Sequence, residues 1–409
     1  MNKHLRSCIK GALLIFTSVV PTSSQAQWNQ QTSGTTEILN SVKFTGSGSG
    51  YAVGDKGTIL YTSDGGSTWG AQSSGVTTHL NSVDFTDNTK GWAVGDDGII
   101  LTTVNGGTNW SKQTSPDKNK LRSVDFNDGN QGIAVGSTSN FGLSYIIHTT
   151  NGGQSWTKAE YSTADILFTV VQLNSSKGLA MGNFGGIFKS SNGGANWNLS
   201  TLGTTSASIR SVSFADASKG WLAGTSGAIY HTTNGGDFWN EQNSGVSTQL
   251  NGVYFVNSSK GYAVGNEGVI LVTTNGGTTW TEQSSGTTED LFSIVFTDAD
   301  NGWIVGSNGT ILHTSNGGNP TSTLNAKEMG IQFYPNPVSR TSGINVEYTN
   351  NAALDISLLN HLGTVVYKSS EFDTKSERID LNNLDLTPGV YLLRIADGEK
   401  QMTSKVLVY

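Results

Sequence analysis

Carboxylates recur at two kinds of position in this chain. Asp55, Asp96, Asp97 and Glu267 each follow the glycine that closes a short apolar segment, and Glu37, Asp165, Glu289 and Asp290 each come just before a Leu-led segment. Paired carboxylates with split proton affinities are the equipment of glycoside hydrolysis, one acting as acid and the other as base or nucleophile. The same groups spread along a rim would instead keep a surface soluble or hold a glycan or a cation. Phe141 lies among them in an extra stretch, Ser137 to Ser144, and offers an aromatic face on which a sugar could stack. The candidate ligand face is therefore Asp55, Asp96, Asp97, Phe141, Asp165, Glu267 and Asp290. His148, His231 and His313 each stand eight residues before one periodic position, in a column filled elsewhere by Tyr61, Thr102, Lys189 and Val272. They belong to different repeats and cannot converge, so no metal, cofactor or catalytic set is assigned.

The elements that position these groups are repeats. Six tryptophans close a turn of the form Asn-Gly-Gly-x-x-Trp: Asp64 to Trp69, Asn105 to Trp110, Asn151 to Trp156, Asn192 to Trp197, Asn234 to Trp239 and Asn275 to Trp280. A seventh copy, from Asn316, lacks its tryptophan. Counted from Trp28, the spacings are 41, 41, 46, 41, 42 and 41 residues, and 41 more reach the vacant place at Thr321. A period of this length with four short strands per repeat predicts propeller blades. An Asn or Asp side chain bonding nearby backbone N–H groups, with glycines accepting positive φ, suits a hairpin turn. Seven blades follow. Trp28-Asn29-Gln30-Gln31 reads as an outer strand with no blade before it, and the last repeat lacks one, so pairing the two would close the ring and remove two open sheet edges. In a propeller the blade-to-blade loops and the second-to-third strand hairpins share one face, which gathers the acidic residues there.

The flanks differ from the repeats. Residues 1–26 carry Lys3, Arg6 and Lys10 before an apolar run and end on Ser24-Gln25-Ala26, the pattern of a secretory signal peptide. The chain's one cysteine, Cys8, lies inside this segment, which leaves the propeller without disulfide or thiol chemistry. Removing three positive charges takes the formal charge of −7 to −10, and an acidic, arginine-poor surface excludes nucleic acid as a partner. Nothing after Ala26 approaches the length of an apolar membrane span. Residues 27–319 form the propeller and 320–330 a Ser/Thr-rich linker. Residues 331–409 read as alternating strands, enough for a small β-sandwich. The fold class is all-β.

The recurring turn resembles the Asp-box, or BNR repeat, of sialidases, with Asn for Asp in most copies and Asp64 retained in the first. A sialidase needs three arginines for its substrate's carboxylate, and this propeller has Arg122 and Arg210 only. With the Gly-aromatic-Ala-Val-Gly strand, the repeats most resemble the photosystem II stability/assembly factor family of seven-bladed propellers, whose members in phototrophs are assembly chaperones with a basic arginine patch. The C-terminal residues resemble the type A sorting domain of the Bacteroidetes type IX secretion system, through Tyr334-Pro335-Asn336-Pro337, the segment leading through Gly389 to Tyr391, and the terminal strand from Lys405. That resemblance implies export across both membranes, with the type IX machinery as partner and secretion or surface attachment as the outcome. The expected function is a non-enzymatic binding or adhesion module. The alternatives are a glycan-processing hydrolase that uses the acidic face and an assembly factor for a membrane complex.

Overall fold

The computed structural model describes residues 28–139, 142–161, 166–203, 206–318, 331–348, 355–360, 364–369, 376–396 and 401–409. The repeats form one compact unit, and the residues from 331 onward belong to a second. Residues 1–26, the linker, Phe141 and Asp165 lie outside the described residues.

The repeats form seven four-stranded antiparallel sheets. Blade 1 (39–72) sets the pattern: inner strand Leu39–Phe44, second strand Gly50–Gly54, third strand Ile59–Thr62 and outer strand Gly70–Gln72. Blades 2 to 6 repeat it, at 80–113, 120–158, 167–201, 209–242 and 250–283. Blade 7 takes its three inner strands from 291–315 and its outer strand, Asn29–Gln31, from the start of the propeller, with Asn29 opposite His313 and Gln31 opposite Ile311. Ring closure by the N-terminal segment is therefore present. Trp28 is fully buried, donates its Nε1–H to Gln283 Oε1 at 3.0 Å, and packs edge-on against Tyr262 and Phe296.

Each turn before an outer strand is fixed by one hydroxyl. In blade 1, Thr62 Oγ1 accepts the N–H groups of Asp64 and Gly66 and donates to Asp64 Oδ1, which also accepts the Thr68 N–H. Asn105, Asn151, Asn192, Asn234, Asn275 and Asn316 take the same place beside Thr103, Thr149, Ser190, Thr232, Thr273 and Thr314. Both glycines of the turn hold positive φ, 68° and 83° at Gly65 and Gly66, which removes the Cβ penalty any other residue would carry. The second strand is glycine-flanked for a steric reason. A Cβ on Gly50 would lie 2.4 Å from the Phe44 ring, and one on Gly54 would lie 1.9 Å from the Ile38 carbonyl.

Neighbouring blades are joined in three ways. The inner phenylalanine of one blade stacks on the second-strand aromatic of the blade before it: Phe85 on Tyr51, Phe126 on Trp92, Phe255 on Trp221, Phe296 on Tyr262 and Phe44 on Trp303, at centroid distances of 3.5 to 4.2 Å. The tryptophan that opens an outer strand donates to the outer-strand glutamine of the previous blade, as in Trp69 to Gln31, Trp110 to Gln72 and Trp156 to Gln113. Around the axis, inner-strand serines accept the N–H of the adjacent inner strand, as Ser41 does from Val83 and Ser82 from Val124.

Blade 4 breaks two of these. Gln172 stands where the other blades have phenylalanine, and Ile133 and Leu179 replace the second-strand aromatics in blades 3 and 4, so neither interface of blade 4 holds the stack. The outer strands of blades 3 and 4 have no glutamine. Trp197 turns to its own Gly194 carbonyl, and the Trp239 Nε1–H is buried without a partner. Blade 3 also departs from the others at its hairpin. Where six blades use a three-residue turn whose middle residue has φ between 51° and 59°, its second and third strands lengthen to Gly132–Ser137 and Ser144–Thr149. This places the extra residues of the 46-residue repeat where the sequence predicts them.

The second unit is a two-sheet sandwich, with one sheet of three strands and one of four. Its core includes Ile344, Val346, Ile356, Leu358, Leu393 and Val406.

Candidate functional site

The face that carries the second-to-third strand hairpins also carries the blade-to-blade loops, since Asp55 N–H donates to the Ile38 carbonyl and the same bond recurs at Asp96, Asn183, Thr225, Asn266 and Ser307. The predicted carboxylates among the described residues are on it, and most are already engaged. Asp55 accepts from Asn40 at 3.1 Å and lies 2.9 Å from His79 Nδ1. Asp96 accepts from Asn81 at 2.8 Å and pairs with Lys120 at 2.9 Å. Burial would raise its pKa, but the bonds from Asn81 and Lys120, with the Lys120 charge, outweigh it and hold the carboxyl below its ordinary value. Glu37 pairs with Lys56 at 2.9 Å, and Asp290 accepts the Glu267 N–H at 2.9 Å. Asp97 and Glu267 occupy the left-handed turn position, at φ 55° and 59°. These groups lie on blades 1, 2, 6 and 7. Among the described residues, no three His, Cys, Asp or Glu side chains gather as metal ligands. His231 and His313 stack on Trp221 and Trp303, and burial lowers their pKa values together with that of His148.

A second set of residues on this face escapes a search for carboxylates. The residue after the leading Leu or Ile of each inner strand lies next to the blade-to-blade loop: Asn40, Asn81, Arg122, Phe168, Arg210, Asn251 and Phe292. Asn40, Asn81 and Asn251 hold the next inner strand, each donating to the carbonyl of its leading leucine at 2.7 to 2.9 Å. Arg122, Phe168 and Arg210, on blades 3, 4 and 5, make no such bond. Their side chains cluster instead, with Arg210 Cζ 3.8 Å and Arg122 Cζ 5.3 Å from the Phe168 ring centroid. Both Nε–H groups are buried without an acceptor, and among the described residues no carboxylate comes within ion-pair distance of either guanidinium. Burial lowers both arginine pKa values, and the Arg122 charge lowers that of Arg210 further. Two like charges thus lie side by side, partly desolvated, with only the more distant Asp96 charge supporting that of Arg122.

The same sector exposes apolar side chains. Phe184 holds the left-handed turn position at φ 51° and is 59% exposed, where the other blades place Lys56, Asp97, Ser226, Glu267 and Asn308. Leu199, in the outer strand of the same blade, and Leu143, in the blade 3 hairpin, are exposed as well. A column-by-column alignment of the repeats carries this signal, because Phe184 is apolar where five other blades place a polar residue, and Arg122 and Arg210 are the charged members of their column.

The C-terminal signature residues meet around the last strand. Asn336, between Pro335 and Pro337, donates to the Lys405 carbonyl at 2.8 Å and accepts the Leu407 N–H at 3.0 Å. Tyr391 is buried, and its hydroxyl accepts the Thr387 N–H and donates to the Thr387 carbonyl. Gly389 pairs with Val408, and Tyr334 bonds Glu347.

Fold and signatures together define a seven-bladed β-propeller with a C-terminal sorting domain. Matches to the photosynthesis system II assembly factor YCF48 model run over residues 20–114, 72–207, 158–252 and 239–330, and the chain belongs to that family. Residues 332–409 match the secretion system C-terminal sorting domain, the tail of an exported protein. Among solved structures, a YCF48 bound to a D1 peptide is 22% identical with a TM-score of 0.60, covering 71% of this chain and 97% of its own. YCF48 from Cyanidioschyzon merolae is likewise 22% identical, with a TM-score of 0.58 and coverage of 70% and 98%. A family GH74 xyloglucanase from Xanthomonas campestris is 13% identical with a TM-score of 0.56, covering 71% of this chain and 53% of its own. These likenesses show the fold. A comparison with curated protein sequences gives no match.

Proposed function

We propose that this protein is a non-enzymatic binding module that leaves the cell by the type IX route and holds a carboxylate-bearing peptide segment at the Arg122–Phe168–Arg210 mouth. Residues 1–26 direct Sec export, and the C-terminal domain engages the type IX machinery and is then removed, leaving the propeller secreted or attached to the cell surface. The observation that carries the binding proposal is the pair of guanidiniums flanking Phe168 with unpartnered Nε–H groups. A carboxylate accepts both N–H groups of a guanidinium fork, and an apolar side chain beside it covers Phe168 and Phe184. The likeness to a YCF48 bound to a peptide supports a peptide over other anions.

Fluorescence anisotropy with acidic peptides, free or amidated at the C-terminus, tests this. Arg210→Gln is expected to weaken binding at least tenfold, and equal binding by Arg210→Gln and the parent chain overturns it. The hydrolase reading is separated by turnover on a polysaccharide panel: activity lost in Asp96→Asn or Asp97→Asn would replace the binding module with an enzyme. Finding the mature chain retained in the periplasm would favour an assembly role instead.

A further inference from the structure

The axial channel holds a second site, at the end away from the arginines. A cavity of about 580 Å³ opens there between the far ends of the inner strands of blades 1, 4, 5, 6 and 7, and its walls include Lys43, Gln172, Ser211, Ser213, Tyr254 and Val295. Small-molecule sites fall in the range of roughly 300 to 1,000 Å³.

The chemistry of the walls narrows the ligand. Lys43 Nζ pairs with Asp84 Oδ1 at 2.8 Å, and Asp84 Oδ2 accepts the Phe126 N–H. Asp125 Oδ2 accepts the Gln172 N–H at 2.6 Å. The cavity wall carries one group of each sign, so a ligand with a full negative charge meets Asp216 and one with a positive charge meets Lys43. A wholly apolar ligand would leave polar groups dry at a cost. Those groups are specific. Ser211 and Ser213 accept the N–H groups of Val253 and Phe255, so their hydroxyl hydrogens remain to donate, while Gln172 Oε1 is buried and accepts nothing. Hydroxyl donors on blade 5 thus stand beside a polar side chain on blade 4. Apolar wall is supplied by Val171, Val295 and the Tyr254 ring, whose hydroxyl is tied to the Phe296 carbonyl at 3.0 Å.

We infer that this cavity binds a neutral saccharide unit, whose hydroxyls fit the polar groups of the wall and whose C–H faces fit its apolar groups. The site is built independently of the arginine mouth, so either can be wrong without the other. The test is saturation-transfer NMR followed by calorimetry on the full chain, with glucose, galactose, mannose and cellobiose as probes and glucuronate and glucosamine as charged controls. At least one neutral sugar is expected to bind saturably and at least tenfold more tightly than either charged control. Val171→Trp, which fills the cavity, is expected to abolish that binding, and Arg210→Gln is expected to leave it intact. Lys43→Met serves as a second variant of similar length should Val171→Trp fail to fold, with at least a tenfold loss expected. Absence of binding by every neutral sugar overturns the inference, as does binding that survives the channel variants.

Discussion

Blades 6, 7, 1 and 2 and the arc centred on blade 4 are built from the same repeat, yet they invest it differently. In the first arc each interface stacks a phenylalanine on the aromatic before it, and three of its interfaces also hold a tryptophan–glutamine bond. Its surface carboxylates are matched with asparagine, lysine or histidine. Around blade 4 the stack is gone at both interfaces, and the surface carries two arginines that no carboxylate pairs with among the described residues, a solvent-exposed phenylalanine and exposed leucines. Departures from a repeat's own rules are expected to gather at functional or strained sites. The regular arc holds the ring together, and under the proposed function the irregular arc is the part left over for a ligand.

The comparison predicts its own largest effect at the ring closure. Trp28→Ala removes a fully buried indole and its bond to Gln283, and a loss of about 3–5 kcal/mol in denaturant unfolding is expected. A loss no larger than that of an exposed substitution would show that blade 7 does not depend on its borrowed strand.

A second effect belongs to the axis side of the irregular arc. Burial, reinforced by the Asp84 charge, pushes the Asp125 carboxyl up to about 7, from an ordinary 3.8, against opposing contributions from the Gln172 N–H and Lys43. The folded chain then holds a proton that the unfolded chain releases, so this contribution is complete below about pH 4 and lost as the pH rises to about 7. Stability is expected to fall by about 1 kcal/mol per pH unit or less over that window, and the slope to flatten in Asp125→Asn. An unchanged slope in the variant would assign the effect elsewhere.

Much of this was legible in the sequence, for a reason visible at particular residues. The period from Trp28 to Asn316 fixes blade number because each copy of the turn needs its hydroxyl, Asn or Asp, and glycines in register. The borrowed outer strand follows from one missing tryptophan and one surplus one. The arginine mouth was hidden because Arg122 and Arg210 are separated by 88 residues and joined only through Phe168, a residue with no chemistry of its own. The described acidic positions share the face that carries the hairpins and blade-to-blade loops, but sequence does not show that Asn40, Asn81 and Lys120 reach them. Phe141 and Asp165 lie outside the described residues, and their part in the face remains a proposal.

The smallest effect sharpens the contrast most. Arg210→Gln removes a charge that no carboxylate balances among the described residues, so stability is expected to change by no more than about 0.5 kcal/mol while peptide binding falls. Loss of both together would make the arginines structural and dissolve the division of labour between the arcs.

Amide hydrogen exchange of the full chain, with and without an acidic peptide, tests the central claim most directly. Without peptide, the second and third strands of blade 4 are expected to exchange roughly tenfold faster than those of blade 1, a difference of about 1.4 kcal/mol in opening free energy. With peptide, protection is expected to rise in blades 3 to 5 and stay unchanged in blades 6, 7 and 1. Uniform exchange around the ring, or protection that rises over the acidic arc instead, would contradict the account.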